Sequence, residues 1–131
     1  GRTVQQISAQ WGLPASLLGV DVVDAGQIVA VDATAEDIRR LTRDRDIKVL
    51  LSPIGGQGFL LGRGNQQVTD GVGNRLRAED LVVVASPSKL ADLQGGPLYA
   101  DWGQSCPPDE PEHIRVITGR NQSAMLRLVR T

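Results

Sequence analysis

The chain holds one cysteine, Cys106, so no disulfide can close within it. With a single histidine, His113, these residues cannot assemble a Cys/His metal site either. Nor can a Ser/His/Asp or Cys/His catalytic grouping be read from one of each. Aromatic residues make up only 3%, which leaves Val, Leu and Ile to fill the core. No apolar run approaches the roughly 20 residues of a membrane helix, and no charged-then-apolar leader is read at the start; the expectation is a soluble cytoplasmic protein without a membrane partner. Basic runs are also missing. A formal net charge of -1 argues against nucleic acid as a partner, because phosphate neutralisation by Lys and Arg supplies most of such affinity.

What is present is globular composition, 40% apolar and 22% charged over 131 residues. The length suits a single domain, 1–131, able to bury roughly two thirds of its unfolded surface. Thr3-Val4-Gln5-Gln6 has capping-box spacing, and Val4, Ile7 and Trp11 recur at helical period before Gly12 and Pro14. Leu17 to Val23 and Ile28 to Val31 read as two strands joined by a turn at Asp24-Ala25-Gly26. Thr34 to Asp37 opens a second helix with acids where the helix dipole favours them. Ile47 to Leu51 reads as a buried strand, and Val68, Val72 and Leu76 as a weak helix interrupted by Gly71 and Gly73.

Further along, Leu81 to Ala85 shows no alternation, the pattern of a strand covered on both faces. Ser86-Pro87 then gives an N-cap and a proline at the first helical position. A short strand is expected near Leu98 to Ala100, and a hairpin around Gly119 to Gln122. Together these predict an α/β fold, a mostly parallel sheet flanked by helices, with antiparallel hairpins at the edges, including a C-terminal hairpin.

Between the Ile47 to Leu51 strand and the following helix lies Pro53-Ile-Gly-Gly-Gln-Gly-Phe-Leu-Leu-Gly-Arg-Gly-Asn-Gln-Gln67. Glycine lets backbone amides approach a ligand and adopt left-handed angles that turn them toward one point. A loop of this kind between a strand and a helix is a seat for phosphate or carboxylate. Gly55, Gly56, Gln57, Gly58, Arg63, Gly64, Asn65 and Gln66 are therefore the candidate nucleotide- or phosphate-binding residues, with Arg63 as a charged grip and Asn65 also a candidate N-cap. No Walker lysine follows, and Gly56, Gly58 and Gly62 miss the dinucleotide spacing by one residue. The competing structural reading makes Gly55 to Gly58 one turn, Phe59 to Leu61 a short buried strand, and Gly62 and Gly64 a second turn.

Weaker candidates are Ser86-x-x-Lys89, whose spacing matches certain acyl-transfer serines but reads better as a helix cap, and Asp21, Asp24 and Asp32, which serve either as ligands or as turn closers. The catalytic residues are not assigned.

Leu17 to Val23, Ser52 to Val68, Leu81 to Leu93 and Arg115 to Gly119, in this order and spacing, resemble the carboxyl-terminal domain of the ATP-dependent NAD kinase family, the ATP-NAD kinases, which includes proteins associated with acetoin catabolism. The likeness spans nearly the whole chain, and the Gly-Gly-Gln-Gly and Gly-Arg-Gly-Asn-Gln-Gln block is its most specific part. It implies a phosphotransferase of NADP biosynthesis, moving a terminal phosphate from ATP or polyphosphate to the ribose 2'-hydroxyl of NAD with a divalent metal such as Mg. In that family the Gly-Gly-Asp-Gly motif with the catalytic carboxylate lies in an amino-terminal domain, and no such motif stands here. A C-terminal fragment of a longer protein is therefore expected, inactive by itself and lacking its catalytic partner domain. The sequence departs from the family pattern at Asp101-Trp102-Gly103-Gln104, at Arg120, and in the short Gly1-Arg2-Thr3 opening.

Two other readings stand beside it. One is a sugar-phosphate isomerase-like or sensor domain using Thr3, Asp21 and Asp24; the other is a docking or homo-oligomerisation module built on the hairpins.

Overall fold

A computed structural model of the chain describes residues 2–10, 12, 19–102 and 113–130. Helix α1, Arg2–Gln10, begins one residue before Thr3, which therefore sits inside the first turn rather than at the cap. Trp11, Pro14, Leu17 and Leu18 fall outside the described residues.

Strands β1, Val22–Asp24, and β2, Gln27–Ala30, form a hairpin and a two-stranded sheet of their own. Ala25 and Gly26 both take positive φ, +52° and +78°, the backbone that matches the twist of a two-residue hairpin. Helix α2, Ala35–Leu41, carries the capping box expected of it, with the Thr34 hydroxyl accepting from the Asp37 amide and the Asp37 carboxylate accepting from the Thr34 amide, each at 3.1 Å.

The main sheet has six strands: β3 Val49–Leu51, β4 Phe59–Leu61, β5 Leu81–Val84, β6 Leu98–Ala100, β7 His113–Gly119 and β8 Gln122–Arg130. Their spatial order is β3-β5-β7-β8-β6-β4, parallel throughout except for the antiparallel β7-β8 pair. The α/β class, the mostly parallel sheet and the C-terminal hairpin are all as the sequence suggests. That hairpin occupies the middle of the sheet, however, because β7 and β8 each keep a parallel partner on their outer side.

Register explains the core. Leu51, Val83 and Val116 stand opposite one another on three adjacent strands, and Leu98 faces Leu128; all five are buried. Strand β5 alternates between buried and half-buried positions, so Val82 and Val84 are only partly covered, in contrast to the two-sided burial its composition suggests. Helix α3, Gln66–Val72, is short, as its glycines imply, and buries Val68 and Val72; helix α4, Pro87–Asp92, starts at the Ser86 cap. The largest fully buried side chain is Trp102, just beyond β6.

Six strands laid flat at about 4.8 Å spacing would leave the outer two about 24 Å apart. Yet Ile54, three residues past β3, pairs antiparallel with Phe59 of β4, its amide donating to the Phe59 carbonyl at 2.7 Å. The sheet is therefore not flat, since the chain lies beside β4 only three residues past the end of β3, and the glycine-rich segment makes the corner there.

Candidate functional site

Pro53 is buried, and residues 55–57 make a single 3-10 turn. Gly58 follows at φ +76°; a Cβ there would lie 2.8 Å from the Pro97 carbonyl, so only glycine fits, and its own carbonyl accepts from the Tyr99 amide. After β4 the chain turns again through Gly62 and Gly64, at φ +94° and +81°. Asn65 stands at the N-cap position of α3 but makes no cap bond. Instead its Oδ1 accepts from the Gly62 amide at 2.7 Å and its Nδ2 donates to the Leu60 carbonyl at 3.1 Å, within a buried environment. The Ile54 and Gly62 amides thus serve the turn itself.

Arg63 is exposed. Its guanidinium lies 4.3 Å above the centroid of Phe59 and donates to Gln57 Oε1 at 2.9 Å, while Phe59 and Tyr99 stack at 5.5 Å. Gln66 is exposed at the start of α3.

A cleft of about 880 Å³ opens between the β1-β2 hairpin, the segment after α2, and the carboxyl end of β3. Of the glycine-rich candidates, Gly64 and Asn65 line it, beside Ser52, Pro53 and Ile54, while Gly56, Gln57, Gly58, Arg63 and Gln66 are not part of its wall; of the weaker candidates, Thr3, Asp21, Asp24 and Lys89 line it too. The position suits a ligand site, because in sheets of this kind ligands bind beyond the carboxyl ends of parallel strands. Its rim carries Arg40, Arg43, Arg45 and Lys48. Three of these four are matched by carboxylates: Arg45 by Asp24, Lys48 by Asp80 at 3.4 Å, and Arg40 by Asp37 at 3.6 Å.

Lys89 is different. It reaches into the cleft from α4, and its Nζ donates to Ser52 Oγ at 3.1 Å; among the described residues it has no carboxylate partner. Burial lowers its pKa below the usual lysine value of 10.5. The pairing follows from topology. β3 and β5 are parallel neighbours in register, Leu51 opposite Val83, so Ser52 beyond one strand and the Ser86 cap of α4 beyond the other leave the sheet together.

Ser86-x-x-Lys89 is a helix cap, with Ser86 Oγ accepting from the Lys89 amide at 3.2 Å, and the lysine side chain points to Ser52 rather than Ser86. Sequence reasoning passed over Ser52 and Lys89 as a pair; the signal for it was that each closely follows an apolar strand. Asp21 accepts from the Asp32 amide at 2.9 Å and Asp24 bonds Arg45, so both tie local structure together. His113 is exposed on β7, and Cys106 lies outside the described residues.

Among the described residues no three His, Cys, Asp or Glu side chains gather as metal ligands. The divalent ion implied by the resemblance does not find its donor set in them. No helix among them is long and apolar enough to cross a membrane.

Comparison with curated proteins and with solved structures gave no match. A family model described as the ATP-NAD kinase C-terminal domain matches residues 4–128, which takes in the β1-β2 hairpin, the glycine-rich corner, the cleft and nearly all of the C-terminal hairpin. The chain belongs to the ATP-NAD kinase C-terminal domain family.

Proposed function

We propose that this chain is the carboxyl-terminal domain of an NAD kinase-like phosphotransferase, and that its cleft holds the phosphate-bearing part of a nucleotide. The observation that carries the reading is the family match over residues 4–128. The cleft supplies a place for it, with Gly64 and Asn65 on one wall and two cations, Arg43 and Lys89, that have no carboxylate partner among the described residues.

In this reading ATP or polyphosphate is the donor and the ribose 2'-hydroxyl of NAD the acceptor. Phosphoryl transfer asks little covalent chemistry of a protein and much positioning and charge stabilisation. The chain's part is to bind and orient through the cleft, with Gly64 and Asn65 bringing one end of the glycine-rich corner to it; Gly55, Gly56, Gln57 and Arg63, outside the cleft wall, would be the part of the corner that meets the ligand only in the whole enzyme. The catalytic carboxylate and the divalent metal belong to an amino-terminal partner domain, so the chain by itself binds weakly and does not turn over.

Calorimetric titration with NAD and with ATP tests this. Heat from either, with sugar phosphates silent, supports the reading. No heat from either, together with an Arg63→Ala change that leaves the activity of the whole enzyme untouched, would remove it, and thermal stabilisation by ribose or glucosamine phosphates alone would favour a sugar-phosphate domain.

A further inference from the structure

We propose that Lys89 and Ser52 together form the seat of a phosphoryl group inside the cleft, a role that rests on reading the cleft as the nucleotide site. The two residues are 37 positions apart and meet only because β3 and β5 run side by side. An ammonium has three donors. One reaches Ser52 Oγ at 3.1 Å, which leaves two, and Ser52 keeps its own hydroxyl proton to donate. A phosphoryl group offers three strong acceptor oxygens and the negative charge that Lys89 lacks among the described residues. The other cation that enters the cleft without a described carboxylate partner, Arg43, is exposed, whereas Lys89 is partly buried, where a charge interaction is less screened. A purely structural role, Lys89 pinning α4 to the end of β3, would use the same bond but would not respond to ligand.

The seat takes either a terminal phosphate of the donor or the pyrophosphate of the acceptor, and the titration arms separate them. Full chain is titrated with tripolyphosphate, ATP and NAD, as wild type, Lys89→Met and Lys89→Arg. At least one ligand binds the wild type; Lys89→Met weakens that ligand about tenfold or more, and Lys89→Arg retains most of the affinity because the charge remains. The ligand that suffers identifies the source. Wild type that binds none of the three overturns the nucleotide reading, and the seat with it. Wild type that binds while Lys89→Met weakens it by less than about twofold overturns the seat alone, as does equal loss in the Met and Arg variants.

Should Lys89→Met not fold, the wild type still answers, since Lys48 and Lys89 are the only lysines in the chain. Acylation followed by peptide mass analysis should show Lys89 protected by saturating ligand more strongly than Lys48, which stands on the rim paired with Asp80. Unchanged acylation of Lys89 with ligand bound overturns the proposal.

Discussion

The side chain of Asn65 clamps the turn that precedes it, bonded at one end to the Gly62 amide at 2.7 Å and at the other to the Leu60 carbonyl at 3.1 Å. Asn65→Ala leaves a part-buried amide and a buried carbonyl without partners, and should cost about 2 kcal/mol or more. Urea unfolding checks it. A loss below about 0.5 kcal/mol would mean water replaces both bonds and the clamp contributes little.

Gly62 and Gly56 make a contrasting pair in the same segment. Gly62 has φ +94°, and a Cβ there would lie 2.6 Å from both Cβ and the carbonyl oxygen of Asp101; at Gly56 nothing stands within 4 Å and φ is ordinary. Gly62→Ala should destabilise by about 2 kcal/mol or more, whereas Gly56→Ala should be neutral or gain up to about 0.5 kcal/mol. Denaturant midpoints of the two variants decide it. If Gly56→Ala folds normally yet loses nucleotide affinity, that glycine is there for ligand approach rather than for the turn.

The Thr34 amide and hydroxyl, followed by Arg40, hold the Asp37 carboxyl below its usual value of 3.8. A depressed acid stabilises the fold fully above 3.8 and loses that contribution as pH falls through the lower folded value. Asp37→Asn should therefore be less stable than wild type near neutrality and flatter in stability below pH 3.8, read from urea melts across the acid range. Parallel curves for the two proteins would show that the capping box does not govern acid unfolding.

Lys89 predicts the alkaline limb. Its charged form is disfavoured by burial, so it loses its proton below 10.5, and anion affinity should start to fall as pH rises toward that value from below. Lys89→Arg should hold its affinity over the same range, because the guanidinium does not titrate there. Equal alkaline loss in both proteins would place the titrating group elsewhere.

Much of the fold was legible in the sequence because its signals were local. Thr34 with Asp37, Ser86 with Pro87, and Ala25-Gly26 each fix a cap or a turn from neighbouring residues alone, and all three stand where the pattern put them. The β7-β8 hairpin was legible as a hairpin but not as the centre of the sheet, since strand order depends on pairing across dozens of residues. The same limit hid the site. Ser52 and Lys89 are joined only by the parallel alignment of β3 and β5, and Asn65, readable as a cap, is recruited backward by Gly62 and Leu60. Trp102 shows it once more: a lone aromatic beside a loop gave no periodicity to mark it as core, yet it is 1% exposed.

The corner at Ile54 and Phe59 also limits how another protein can join this one. The two outermost strands are three residues long each, and three residues past the first the chain already turns to pair with the second. A neighbour that attaches by lengthening a sheet needs a straight, unshared row of peptide groups, and these rims offer almost none. A protein that docks on this one would therefore do so through side chains rather than by adding a strand.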